Sequence, residues 1–295
     1  MPDLDRAKNL EAGAPSAPGK EGNGEDMEQR QLADLLQAIF ERSGVDFRDY
    51  AYSSLRRRVA NCLHMEAVPD LEALRRKVWN DSVALERMID SLTVHVTSMF
   101  RDPEFYRAVR EHLVPVWRTY PFLRLWLAGC SSGEEVYSLA ILLYEEGLYR
   151  RCRLYATDMS DRLLAKAKAG VFPLARMQEY SRAYQEAGGR AAFCDYYTAS
   201  DDAVIFRAHL RENTVFAAHN LVGDKSFNEF HGIFCRNVMI YFNQHLQNRV
   251  HGLFYESLAN FGYLGLGRSE ALRSTPYANC YETVSVKERL YRKIA

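Results

Sequence analysis

The spacing of apolar positions changes twice along the chain. Residues 1 to about 27 are rich in Gly, Pro, Ala and acids and almost devoid of large apolar side chains. Such a segment cannot offset its own ordering entropy, so a disordered tail is expected there. From Met27 the texture changes: Leu32, Leu35, Leu36, Ile39 and Phe40 recur at i, i+3, i+4, i+7 and i+8, one apolar face of a helix. YSSLRRRVANCLHM, DLEALRRKVWN and ALERMIDSLTVHV continue in helical spacing, with Pro69 and Asp70 as break and start signals. An all-helical N-terminal domain over residues 28–95 is the expectation.

After TSMFRDPEFY the period shortens. LRLWLAG and CRLYATD are apolar runs closed by turn residues, and each leads into a helical stretch, EEVYSLAILLYEEG and DRLLAKAKAG. That alternation predicts parallel strands joined by crossover helices over residues 96–295. HGIFCRNVMIYF and GYLGLG supply later strands around the helix NQHLQNRVHGLFYESLANF. Ahead of these later strands, AAFCDYYTAS, AVIFRAHL and NTVFAAHN read as short antiparallel or edge strands, an insert at about 190–215.

Composition narrows the function classes. With 47% hydrophobic residues the chain can bury an ordinary core, and Lys plus Arg equals Asp plus Glu at 38 each. No global field therefore favours nucleic acid or a membrane surface. No run of 18 apolar residues occurs, so no membrane insertion is expected, and a cytoplasmic location is the default. The six cysteines have no paired spacing and suggest neither disulfides nor zinc. No metal site is expected.

The chemistry concentrates in LWLAGCSSGEEVYSLA, residues 125–140. A phosphate loop would carry a Lys after its last glycine, and Glu134 and Glu135 would oppose a phosphate at the helix start. A nucleophile elbow is a second reading, since Gly129 to Gly133 match G-x-S-x-G around Ser131. It needs an acid and a histidine, for which Asp158 and His209, His219, His231, His245 or His251 are available. The third reading is a cationic cofactor with a ribose and no phosphate. Gly129 and Gly133 permit close approach, an acid meets an amino group or sulfonium, and Asp158 ends the next strand where it accepts ribose hydroxyls. S-adenosylmethionine fits each of these features. A plain structural turn, with glutamates capping the helix dipole, is the bland alternative.

The blocks TSMFRDPEFY, LWLAGCSSGEEVYSLA, LYATDMSDRLLAKAKAG, HNL and GIFCRNVMIYFN occur in this order, and together they resemble the CheR-type chemoreceptor methyltransferases. The resemblance runs from about residue 30 to the end. It implies a three-layer, Rossmann-like α/β methyltransferase sheet with a small antiparallel β-subdomain, preceded by the helical domain. It also implies transfer of a methyl group from S-adenosylmethionine to receptor glutamates, leaving S-adenosylhomocysteine.

Carried over residue by residue, the resemblance places Thr97 and Arg101 on the cofactor and Glu135 on its amino group. Asp158 takes the ribose, Asn220 and Leu221 flank the adenine, and Arg236 and Asn237 line the reacting end. Arg236 and Tyr241 are the candidates for orienting substrate. They lie five residues apart, so on a regular strand they would face opposite sides, and a bend after CRN is required. His95 stands where relatives have Asn, His231 where they have Asp, and Gly265 where they have a bulky residue, which predicts thinner packing. A cofactor-binding regulatory module without turnover is the alternative that these departures motivate. Arg56, Arg57 and Arg58, with a second basic run at Arg75 to Lys77, are candidates for docking an acidic receptor helix, or simply a solvated face.

A carboxylate needs no general base to attack a sulfonium methyl, because a glutamate with a pKa near ~4.3 is ionised at neutral pH. The absence of an obvious acid/base pair suits this reaction and not a hydrolase.

Overall fold

The computed structural model describes residues 21–93 and 97–294, and of residues 21–25 only the backbone. Most of the expected N-terminal tail, residues 1–20, lies outside the described residues, as does His95. The first helix reaches further back than the apolar pattern implies. It spans Glu21–Ser43 (α1), so residues 21–27 are helical, carried on the turns that Leu32, Leu35 and Ile39 anchor.

The described residues divide into two compact units. One takes those up to Arg48 together with Ala60–Ile89; the other takes Asp49–Val59 and Asp90 onward. The division falls inside Tyr52–Met65 (α2) and inside Ser82–Leu92 (α4). In the first unit α1 packs on Leu71–Asn80 (α3), joining Leu35 and Ile39 to Leu74 and Val78 in one buried layer. Asp70 caps α3 by accepting from the Ala73 N–H at 2.8 Å, which satisfies one orphan donor of the first turn. Glu66 is buried there between Arg87 and Lys77.

The second unit holds a seven-stranded sheet. Its strands are Leu123–Ala128 (β1), Cys152–Asp158 (β2), Thr214–Ala218 (β6), Phe230–Cys235 (β7), Leu258–Leu266 (β8), Tyr281–Ser285 (β9) and Leu290–Lys293 (β10), in the order β6-β2-β1-β7-β8-β10-β9. All neighbours from β6 to β8 pair in parallel, and β10 runs antiparallel to β8 and β9. Period-two alternation sorts β1 between two cores. Leu123, Leu125 and Leu127 join the cluster around Glu134–Glu145 (α7), while Trp126 and Ala128 join the one around Gln244–Ser257 (α10). Helices thus cover both faces, the three-layer arrangement that near-continuous apolar strands require.

A separate three-stranded antiparallel sheet is built from Val171–Pro173 (β3), Tyr197–Ser200 (β4) and Ala203–Phe206 (β5). This corrects the insert's limits. The small sheet begins at Val171 and not near residue 190, and NTVFAAHN is no part of it, because β6 pairs with β2 on the edge of the main sheet. The pattern AVIF and TVFAA is the same to the eye; long-range pairing alone separates them. Likewise the helix around residue 250 stops at Ser257, and the ANF read as helix belongs to β8.

Gly265 does not thin the packing. A Cβ there would lie 2.6 Å from Phe234 and 2.9 Å from Phe105, so two aromatic rings, 5.7 Å apart edge to face, already occupy the space a bulky residue would take. His231, on β7, accepts the Arg124 N–H at 3.0 Å through Nδ1 and meets the Tyr120 ring edge to face. Burial, with Arg124 beside it, lowers its pKa, so it serves as a neutral packing residue.

Candidate functional site

Chain order reverses between β1 and β7, the position where open α/β sheets leave a crevice at their carboxyl ends. A cavity lies there, with about 930 Å³ of empty space, some of it open to solvent. Thr97, Arg101, Gly129, Glu135 and Asp158 line it, as do Asn220, Leu221, Arg236, Asn237 and Tyr241. Every site residue inferred for the cofactor or the reacting end, His95 aside, therefore borders one space.

Left-handed backbone builds the rim. After β1 the chain turns through Gly129 (φ 78°), Ser131 (φ 50°) and Gly133 (φ 98°). A side chain at Gly129 would come within 2.6 Å of Val238 Cγ2, and one at Gly133 within 2.8 Å of Ala167. The first glycine thus lets the β1 and β7 turns approach each other, and the second lets α7 pack close to Asp161–Ala169 (α8). Asp158 ties the turn to the next strand end: Oδ2 accepts from Ser131 N–H at 2.9 Å and Oδ1 from Ser160 N–H at 3.0 Å.

The two glutamates of the turn separate. Glu134 is buried, accepts a 2.7 Å bond from the Ser132 hydroxyl, and faces away from the cavity; burial raises its pKa against that bond. Glu135 borders the cavity and meets Arg236 Nη1 at 3.3 Å. Arg236 Nη2 donates to Asp102 Oδ2 at 2.8 Å and to the Arg101 carbonyl at 2.9 Å, and its guanidinium lies 4.0 Å above the Phe105 ring. Burial alone would lower the Arg236 pKa, but Glu135, Tyr106 and Asp102 outweigh it and hold the cation above its ordinary value. Glu104 bonds Arg268 at 2.9 Å.

The bend that CRN requires is present. Strand β7 ends at Cys235, Asn237 sits at φ 62°, and Met239–Tyr241 form a 3-10 turn, so Arg236 and Tyr241 reach the same cavity. Sequence reasoning missed what holds this bend. Glu270 is buried and accepts N–H bonds from Asn237, Val238, Met239 and Gly267 at 2.6 to 3.0 Å. An acid three residues beyond the strand-end Gly267 was the only local signal.

The basic run on α2 also resolves. Arg56 and Arg57 are exposed, whereas Arg58 shares the buried helix face with Leu55 and Val59 and lines the cavity. Its Nη1 donates to the Leu92 carbonyl, its guanidinium lies 4.5 Å above the Tyr241 ring, and Nη2 has no hydrogen-bond partner. As a surface docking residue Arg58 is therefore set aside. The hydrolase reading loses its support as well: the buried Ser131 hydroxyl has no hydrogen-bond partner among the described residues, so none of their histidines is placed to activate it. Burial raises the pKa of the neighbouring Cys130 thiol, so it stays protonated and a poor nucleophile.

Against known proteins, residues 95–287 match the family described as CheR methyltransferase, SAM binding domain, and residues 30–93 match CheR methyltransferase, all-alpha domain. The chain belongs to the CheR methyltransferase family. It is 42% identical to the Cher3 protein of Pseudomonas putida, over 88% of this chain and 95% of that one. It is 29% identical to the chemotaxis protein methyltransferase of Listeria monocytogenes, over 78% and 85% of the two chains, and 28% identical to that of Salmonella typhimurium, over 80% and 82%. The cofactor of this CheR-family chain is S-adenosylmethionine. The cavity suits it: the Glu135 and Asp158 carboxylates line it as hydrogen-bond acceptors, and among the described residues no phosphate-binding lysine does. Buried Asn237 Oδ1 and His219 Nδ1, both on cavity-lining residues, have no partner in the protein. Among the described residues no helix is long and apolar enough to cross a membrane.

Proposed function

We propose that this CheR-family methyltransferase esterifies glutamate side chains of a chemoreceptor or a receptor-like signalling protein. The observation that carries the reading is Arg58: a buried guanidinium, stacked on Tyr241, with an unspent Nη2 at the cavity wall. An unpaired donor on a buried cation is costly unless an anion completes it, and an incoming carboxylate would do so.

S-adenosylmethionine supplies an electrophilic methyl group on a sulfonium. An incoming carboxylate oxygen would bond the methyl carbon as the carbon–sulfur bond breaks, with the sulfur keeping the electron pair. No proton moves, so the residues act by placement. Asp158 would hold the ribose hydroxyls and Glu135 the amino group. Thr97, Arg101, Asn220, Leu221 and Asn237 frame the remainder. Arg236 is spent on Glu135 and Asp102, so it fixes the cofactor's acid partner, and orientation of the substrate passes to Arg58 and Tyr241. Exposed Arg56 and Arg57 continue the positive charge outward, where an acidic receptor helix would dock.

The test uses methyl-labelled S-adenosylmethionine and a receptor cytoplasmic fragment. Label released as methanol by mild base, and lost when the fragment's glutamates are replaced by alanine, is the expected result. Base-stable label would point to an amine or ether acceptor and overturn the carboxylate reading. Tight S-adenosylhomocysteine binding with no transfer to any fragment would favour a regulatory module instead.

A further inference from the structure

We infer that Glu270 is a positioning residue for methyl transfer: its buried carboxylate clamps the turn after β7 and so brings Arg236 and Tyr241 to one cavity. The role given to Tyr241 rests on the function proposed above; the clamp itself does not.

Four backbone N–H groups converge on the Glu270 carboxylate. Oε1 accepts from Val238 at 2.9 Å and Met239 at 2.7 Å, and Oε2 from Asn237 at 3.0 Å and Gly267 at 2.6 Å. Three of these donors are consecutive, which only a chain that has left the strand direction can present to one carboxylate. Asn237 pays for that departure with φ 62°, a conformation that costs a non-glycine residue on the order of 1 kcal/mol and persists only where neighbours enforce it. Without the bend, residues 236 and 241 would point to opposite faces of an extended strand.

The clamp is closed from behind by Gly267. A Cβ there would lie 2.7 Å from Asn237 N and 2.8 Å from Glu270 Oε2, so the loop that carries the acid must approach on bare backbone. In front, Val238 rests against Gly129, which couples the clamped turn to the β1 turn across the cavity. Glu270 does not line the cavity, so it acts through the residues it holds.

The experiment uses the full chain with Glu270→Gln, Glu270→Asp and, should Glu270→Gln fail to fold, Gly267→Ala, which presses on the same contacts. A glutamine presents one amide oxygen and turns N–H donors toward N–H donors. We expect the folded variant to exchange the amides of residues 237–239 about tenfold faster or more. Its kcat should fall about 100-fold, the size expected for a misplacement near 1 Å, while its S-adenosylhomocysteine affinity falls less than about tenfold. Partial recovery of kcat in Glu270→Asp would support the clamp, since a merely structural loss would move stability and leave that split untouched. Unchanged exchange at 237–239, or a wild-type kcat in the folded variant, overturns it. Should the wild type label no glutamate, the substrate reading falls, and the exchange measurement still decides the clamp.

Discussion

Helix α7 begins with Glu134 and Glu135 and closes with Glu145 and Glu146, the same dipeptide at both ends, in opposite circumstances. At the N-terminus the helix dipole favours acids; at the C-terminus it opposes them. The structure answers the second case by saturation. Glu145 Oε1 accepts from the Tyr184 hydroxyl, the Tyr196 hydroxyl and the Arg190 N–H, and Oε2 pairs with Arg110. Glu146 pairs with Arg110, Arg118 and Arg190. At the first end Glu135 has one long contact to Arg236 and an open cavity beside it. Buried acids alone therefore do not mark a site. Unspent valence facing a cavity does.

The sharpest way to break this comparison is Glu135→Gln. Losing a charged acceptor for the amino group should weaken S-adenosylhomocysteine binding about 10- to 100-fold by calorimetry, beside the stability that buried Arg236 loses with one of its two acid partners. A wild-type affinity would mean that Glu135 serves only Arg236, and the two ends of α7 would no longer differ in kind.

The converse substitution, Glu145→Gln, should leave that affinity within about twofold and cost stability instead, about 2 kcal/mol, or about 5 °C in thermal midpoint. Its pH dependence has a definite sign. Burial pushes the Glu145 carboxyl up, but the Tyr184 hydroxyl, the Arg190 N–H and Arg110 outweigh it and hold it below its ordinary value. A depressed folded pKa gives stability that is full above the unfolded carboxyl range and lost as pH falls through the folded value. The midpoint gap between wild type and Glu145→Gln should therefore shrink as pH drops below about 4.3. A gap that stays constant to pH 3 would show that the carboxylate charge is not what the cluster uses.

Legibility in the sequence follows the same divide. The strand–turn–helix at residues 125–140 could be read because its glycines, its apolar run and its acids are neighbours in the chain. Asp158 could be read for the same reason, at the end of the next apolar run. Arg58 was misplaced because a run of three arginines hides which one the helix turns inward; Leu55 and Val59 hold that answer. Thr214–Ala218 was read as a strand but grouped with the insert, and Val171–Pro173 was not read at all, because short strands of two different sheets share one composition and only pairing distinguishes them. Glu270 lies 33 positions from the first amide it binds, by the numbering of the chain, and no local period announces such a bond.

The smallest expected effect tests how far the comparison extends. His231 lies at the amino end of β7, away from the carboxyl edge that carries the cavity, and its neighbours there are Arg124, Glu229 and Tyr120. In His231→Asp a carboxylate can accept the same Arg124 N–H and sits beside the same guanidinium, so stability at pH 7 should change by less than about 1 kcal/mol. Methyl transfer should stay within about twofold. The pH trend separates the two side chains. Because burial depresses the folded His231 pKa, protonation favours the unfolded chain, and wild type loses stability as pH falls below about 6.5. The aspartate variant has no such loss in that window, so thermal midpoints at pH 5.5 should favour the variant relative to their difference at pH 7. A tenfold fall in kcat would instead couple the far edge of the sheet to the cavity, and the separation of a chemical edge from a structural one would have to be given up.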